Sequence, residues 1–149
     1  MASHTASATP RIHEILGGER TIGSSPRNEH DLIKIVRSGL PYAALESVLD
    51  LLGLPVDAVA ASLSLPQRTL ARRKKQQRLT AEESDRLLRL ARVAAVAVGV
   101  FGDPRKASAW LQKPNRALGG VTPLSLMDTD AGVRQVERVL GRIEHGVFS

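Results

Sequence analysis

The sequence predicts an all-α fold, and three observations lead to this prediction. The hydrophobic fraction is 42% but the aromatic fraction only 3%, so a core would come mainly from aliphatic side chains on helix faces. Apolar residues recur at helical spacing in several segments, and none alternates as a half-buried strand would. Helix start and stop signals, chiefly Gly and Pro, separate these segments. We therefore expect a central helix-turn-helix domain followed by a small helical C-terminal domain.

Residues 1–28 are predicted to form a flexible N-terminal arm. This segment is small and polar, with glycine and proline breakers at 17–18 and 24–26. Such composition is typical of mobile chain ends. Only four apolar residues are candidates to anchor the arm: Ile12, Ile15, Leu16 and Ile22.

Residues 29–101 are expected to form the DNA-binding and dimerisation region. An apolar helical stripe begins at Leu32 and closes at Gly39, and Pro41 opens a second helix that Gly53 ends. Further on, Thr80 and Glu83 form a capping-box pattern, which predicts the start of a long helix reaching about residue 101. That helix becomes apolar nearly all round, as a buried central helix does.

Two short helical units at 56–63 and 66–77 predict the helix-turn-helix, because the link between them allows only a tight turn. Small residues Ala60 and Ala61 permit a close helix crossing, and Pro66 suits the first position of the second helix. The turn carries Ser64 where many such motifs have glycine. This serine must then accept any backbone strain in the turn.

The second unit is predicted to be a recognition helix. Gln and Arg at its start can make bidentate contacts to base edges, and the basic residues that follow can neutralise phosphates. If about five phosphates are neutralised per protomer, DNA affinity should fall with salt at a log-log slope of roughly −4 to −5. The alternative is a solvated basic helix end that complements the helix dipole. The expected DNA-binding residues are Gln67, Arg68, Thr69, Arg72, Arg73, Lys74 and Lys75.

Residues 102–149 are expected to form the C-terminal domain. Asp103-Pro104 starts one helix, in which Trp110 and Leu111 are expected in the core, and Thr122-Pro123 caps a short turn of helix. Asp130 is expected to cap the last long helix and Gly146 to end it in a left-handed conformation.

Several motifs occur here in order: A-x-x-W-L at 107–111, P-N-x-A-L-G-G at 114–120, T-P-L-S-L at 122–126 and D-T-D-x-G at 128–132, with G-R-I-E-H-G at 141–146. Together they resemble the toxin-binding domain of the Xre/MbcA/ParS antitoxin family. The resemblance extends more loosely upstream, through the helix-turn-helix, to about residue 40.

This resemblance implies the antitoxin of a type II toxin-antitoxin pair. Its partner would be a RES-domain toxin, an enzyme that degrades NAD or transfers ADP-ribose from it, whose active site the C-terminal region blocks. Such antitoxins dimerise and repress their own operon by binding operator DNA. The resemblance places toxin contact on Asn115, Leu118, Gly119, Gly120, Glu144, His145, Gly146, Val147 and Phe148.

The C-terminal residues give this assignment partial physical support. An apolar Val147-Phe148 tail just past a helix cap suits entry into a concave site. The alternative is that Phe148 folds back as the hydrophobic contact of the helix C-cap. Asn115 and the two glycines, likewise, have an alternative role as loop punctuation.

Other functional classes find less support. The chain has no cysteine, and its four histidines are scattered without metal-ligand spacing, so neither an enzyme nor a cofactor is expected. Asp128 and Asp130 read better as caps than as catalytic carboxylates. The net charge of +6 favours a polyanionic partner. Without a signal segment or a long apolar run, we expect a cytoplasmic chain that joins the nucleoid at its operator and no membrane partner.

Two competing functions remain open from sequence. One is a stand-alone helix-turn-helix transcriptional regulator whose C-terminal region serves only dimerisation or effector binding. The other is a structural interaction module without DNA affinity. A toxin gene beside this one, and loss of neutralisation on removing the last residues, would favour the antitoxin.

Overall fold

The computed structural model describes residues 4–146, with side chains from residue 9 onward, and confirms the all-α prediction over that range. Its helices follow in the order α1 (His4–Ile15), α2 (Gly18–Ile22), α3 (Glu29–Ser38), α4 (Tyr42–Leu52), α5 (Val56–Ser62), α6 (Gln67–Gln76), α7 (Ala81–Phe101), α8 (Pro104–Leu111) and α9 (Asp130–Glu144), with short 3-10 helices η1 (Arg116–Leu118) and η2 (Leu124–Leu126) before α9. Within that range, β-type pairing is limited to two isolated bridges, Pro41 to Arg78 and Asn115 to Val121.

The long helix α7 lies at the centre, packed against α1, α3, α8 and α9. Its Leu87, Leu90 and Val93 are fully buried, as are four alanines between residues 91 and 97. Alanine lets neighbouring helices approach closely, which explains how one helix contacts so many others. The helix begins in the predicted capping box, since Thr80 and Glu83 each accept a hydrogen bond from the other's backbone N–H. The expected buried central helix is therefore confirmed.

The flexible-arm prediction is wrong for residues 4–22, which form α1 and α2. Ile12, Ile15 and Leu16 are at most 2% exposed and belong to the common core. Arg11 on α1 donates from Nη1 to the carbonyl oxygen of Ala95 on α7, at 3.3 Å. The breakers at 17–18 end α1 but do not free it, because burial of its apolar face fixes the helix on α7.

Two predicted cap positions shift by one residue. Pro66 is the N-cap of α6 and not its first helical residue. At α9 the cap is Thr129, whose hydroxyl accepts from the N–H of Gly132 at 3.0 Å, while Asp130 is the first helical residue. Close packing also explains why the D-T-D-x-G motif ends in glycine. A Cβ at Gly132 would lie 2.0 Å from the carbonyl oxygen of Leu126.

Candidate functional site

The helix-turn-helix consists of α5 and α6, joined by a turn whose apolar residues Leu63 and Leu65 are buried. The N–H of Leu65 donates to the carbonyl of Ala60 at 2.8 Å, which closes the turn. Ser64 has a φ of 55°, so this serine adopts the left-handed conformation that glycine takes in many such motifs. Arg86 of α7 supports the turn by donating to the carbonyl of Leu63.

The outer surface of α6 brings together most of the predicted DNA-binding residues. Gln67 and Arg68 are exposed at its start, and Thr69 is half-buried beside them. Pro66 provides no side-chain cap, so the N–H groups of the first turn are not engaged by the side chain before them. Three cations, Arg72, Lys74 and Lys75, are exposed further along. We call this side of α6, with its exposed residues Gln67, Arg68, Arg72, Lys74 and Lys75, the basic surface.

Arg73 departs from the predicted set, because its guanidinium is held inside the protein. Its Nε donates to Oε1 of Glu83 at 2.7 Å, and the two side chains are only 13% and 8% exposed. The same carboxylate accepts from the N–H of Thr80 at 2.9 Å. Arg73 therefore joins α6 to the start of α7 and is unavailable as a free phosphate contact in this arrangement.

The charge state of Glu83 follows from these contacts. Burial alone would raise the pKa of its carboxyl, but the hydrogen bonds from Arg73 and Thr80 and the adjacent positive charge outweigh burial and lower the pKa below its usual 4.5. The same hydrogen bond raises the pKa of Arg73. Both groups are therefore charged at neutral pH, and the support beneath α6 is an ion pair.

Arg78, which follows α6, is also engaged within the chain. Its Nη1 donates to the carbonyl of Gly39 at 2.6 Å, next to the bridge between Pro41 and its own backbone. Arg73 and Arg78 thus support the fold, and three basic side chains remain free on α6 for phosphates beyond Arg68.

Residues 115–121 form a closed turn, defined here as the glycine turn. The N–H of Asn115 donates to the carbonyl of Val121, and the N–H of Gly120 donates to the carbonyl of Asn115, both at 2.9 Å. The Asn115 side chain accepts from the N–H of Ala117 at 2.9 Å, so it caps η1. Leu118 is 8% exposed and holds the turn on the core.

Gly119 and Gly120 form the exposed tip of this turn. Their φ angles are 77° and 86°, and a Cβ at either would meet only open space. Among the predicted toxin-binding residues, these two glycines therefore expose backbone atoms only. Asn115 and Leu118 instead hold the turn in place. Both glycines need their conformational freedom here, since L side chains rarely adopt such angles.

The end of α9 carries the remaining predicted contacts. Glu144, His145 and Gly146 are exposed, and Gly146 has the expected left-handed φ of 75°. The opposite side of α9 is buried through Val136, Val139 and Leu140. Val147 and Phe148 lie outside the described residues.

Val121 is not among the residues predicted from sequence, although it lies in the glycine turn with 42% of its surface exposed. An apolar residue directly after a glycine pair was the only available signal. Trp110, expected in the core, is half-buried against Phe101, with ring centroids 5.8 Å apart, while Leu111 is fully buried.

The part of the chain that the structure describes offers neither a metal site nor a membrane span. No group of three His, Cys, Asp or Glu residues there could hold a metal ion. None of its helices is both long enough and apolar enough to cross a membrane.

Comparison with known proteins decides the family. Residues 31–92 match the antitoxin Xre-like helix-turn-helix domain, and residues 97–146 match the antitoxin Xre/MbcA/ParS C-terminal toxin-binding domain. Antitoxin Xre of Yersinia enterocolitica is 35% identical over 132 residues, which cover 87% of this chain and 89% of that protein. The chain belongs to the Xre/MbcA/ParS antitoxin family.

Other relatives of this Xre/MbcA/ParS antitoxin agree. Antitoxin Xre of Photorhabdus laumondii is also 35% identical, over 87% of this chain and 89% of its own length. A protein of Sphingobium sp. named Prs ADP-ribosylating antitoxin is 30% identical, over 80% of this chain and 81% of its own length. The chain is thus the antitoxin of a toxin-antitoxin system, and its helix-turn-helix makes it a DNA-binding protein.

Proposed function

We propose that this antitoxin neutralises a RES-domain, NAD-consuming toxin by covering its active site with the C-terminal region, and that it represses its own operon through α5 and α6. One observation carries the proposal: the basic surface and the glycine turn are both exposed on one folded core. A single chain can therefore present one surface to DNA and another to protein. We further propose that it acts in the cytoplasm as a homodimer, which joins the nucleoid when bound to its operator.

The operator half rests on the chemistry of α6. Gln67 and Arg68 stand where a recognition helix meets base edges in the major groove. With Arg73 and Arg78 engaged internally, the three free cations would neutralise about three phosphates, so the log-log salt slope becomes about −3 per protomer. This replaces the steeper slope expected from sequence.

The toxin half rests on the glycine turn and the end of α9. Bare backbone at Gly119 and Gly120 allows a partner's surface to approach more closely than side chains would permit. Glu144 adds negative charge at an exposed helix end, which complements the basic residues that bind the phosphates of NAD. The name of the Sphingobium relative associates an antitoxin with ADP-ribosylation, which supports a role for NAD chemistry in this system.

Co-expression tests the toxin half. The cognate RES-domain toxin that we propose would be induced in a bacterial host with the full chain, or with a form ending at His145. We expect growth and stable NAD levels with the full chain, and growth arrest with the truncated one. As the control, the truncated form must be shown to be folded and as abundant in the cell as the full chain.

The Arg68→Ala, Arg72→Ala double variant is the matched comparison for the operator half. It should neutralise the toxin as the full chain does while losing affinity for the upstream DNA.

In the truncation experiment, growth arrest with the full chain, or neutralisation that survives truncation, would contradict the assigned role of the C-terminal end.

A further inference from the structure

A cleft of about 330 Å³ lies between the helix-turn-helix and the C-terminal domain. Its walls come from α5, through Ala58 and Ala61, and from the segment after the glycine turn, through Thr122 and Ser125. Asp128 also lines it. The family comparison gives residues 31–92 and 97–146 as separate domains, so this cleft spans the boundary between them.

A buried hydrogen bond holds the two walls together. The Ser62 hydroxyl on α5 donates to the carbonyl of Leu124 in η2 at 3.0 Å, and Ser62 is only 4% exposed. The single proton of this hydroxyl is shared with the carbonyl of Ala58 in the same helix, which lies at 2.8 Å. Separating the two walls would leave the buried carbonyl of Leu124 without this donor, which is costly. The hydrogen bond therefore helps to fix the shape of the cleft.

The cleft wall begins at the residue that follows the glycine turn, Thr122. Val121, with 42% of its surface exposed, joins the glycine tip to Thr122 on the cleft wall. Val121 is the one exposed large apolar side chain within residues 115–125, so any protein surface that rests on the glycine turn can bury it. A partner that covers Gly119 and Gly120 therefore meets Val121 next, and then the cleft.

Charge at the cleft indicates what would enter it. Asp128 is exposed, and within residues 4–146 no hydrogen bond or ion pair engages its carboxylate. Asp57 is exposed one helical turn before Ala61, on the same side of α5. Small alanine walls with an acidic edge suit a Lys or Arg side chain that packs its stem inside and its charge at the rim.

We propose that the toxin contact extends from the glycine turn over Val121 into this cleft, where a basic side chain of the toxin docks between α5 and η2. This inference rests on the proposed function, since the occupant is the same RES-domain toxin. It makes α5 part of the toxin interface and places the toxin against the helix that supports the recognition helix.

The chain lacks cysteine, so single thiols can report on the cleft. Ala61→Cys and Ser125→Cys would be alkylated alone and in complex with the proposed RES-domain toxin. Ala81→Cys, an exposed site at the start of α7, is the matched control. We expect complex formation to slow alkylation about tenfold at the two cleft positions and to leave the control unchanged.

Charge reversal gives an independent readout. Asp128→Lys should weaken toxin binding about tenfold, whereas Glu46→Lys on the exposed side of α4 should not change it. Unprotected cleft thiols, together with unchanged binding by Asp128→Lys, would overturn the inference while the proposed function stands. If the unmodified chain fails to bind the RES-domain protein, both proposals fall.

Discussion

The basic surface and the glycine turn are built in opposite ways. On α6, long charged side chains extend from a helix that is anchored from behind by the Arg73–Glu83 ion pair. In the glycine turn, side chains are withdrawn, since Leu118 is buried and Asn115 caps η1. The first surface suits a polyanion, which is recognised through several similar charges. The second suits a shaped protein surface, where close approach matters more than any one side chain.

The anchor of α6 gives the largest expected effect. Glu83→Ala removes the glutamate half of the capping box and leaves Arg73 without its ion-pair partner, so we expect the free energy of unfolding to fall by about 2–3 kcal/mol. Chemical denaturation at neutral pH measures this change. An equally stable variant would show that the ion pair is not what holds α6.

The same carboxylate predicts a pH dependence. Because the pKa of Glu83 is lowered in the folded protein, its contribution is present above the unfolded pKa and is lost as pH falls through the folded value. Stability should therefore decline in acid below about pH 4.5, and the decline should be shallower in Glu83→Gln.

The glycine turn should respond to a small change in conformation. Gly120→Val places a β-branched residue at a φ of 86° and should cost about 1–2 kcal/mol of stability. The free energy of toxin binding should fall by more than the free energy of unfolding, because the valine side chain also projects from the exposed tip. Calorimetric titration with the RES-domain protein gives the affinity, and unchanged binding would remove the turn from the interface.

On the basic surface, substitutions should separate by role. Arg68→Ala should weaken the free energy of operator binding by about 1.4 kcal/mol and relax the base preference at one position of the operator. Lys75→Ala should weaken binding to all sequences equally and make the salt slope shallower by about one. Fluorescence anisotropy with operator and scrambled duplexes at several salt concentrations distinguishes these outcomes.

The smallest expected effect lies in the turn between α5 and α6. Ser64→Gly should stabilise the fold by about 0.5–1 kcal/mol, because glycine adopts the φ of 55° without strain. Thermal unfolding would detect it. A destabilised variant would instead indicate that the serine side chain contributes in the folded state.

Much of the fold could be predicted because its boundaries are set by local chemistry. Gly39, Pro41 and the Thr80 capping box act within one turn of helix, so their roles are visible in the sequence alone. The arm prediction failed because it weighed the breakers above the spacing of Ile12, Ile15 and Leu16. Those residues fall three and four apart, as on one helix face, and α7 supplies the surface that buries them.

The candidate sites were less predictable because they depend on contacts between distant residues. Arg73 looks like its basic neighbours in the sequence, and only the position of Glu83 on α7 shows that it supports the helix. The hydrogen bond from Ser62 to Leu124 likewise joins residues far apart in the chain. Spacing within a segment carries no information about either.

The central claim is that operator and toxin are recognised by different surfaces of one antitoxin. The most direct test measures operator affinity and toxin neutralisation for the Arg68→Ala, Arg72→Ala variant and for Gly120→Val side by side. We predict that the first loses operator binding and still neutralises the toxin, and that the second binds operator but neutralises poorly. Loss of both activities in both folded variants would contradict the separation of the two surfaces.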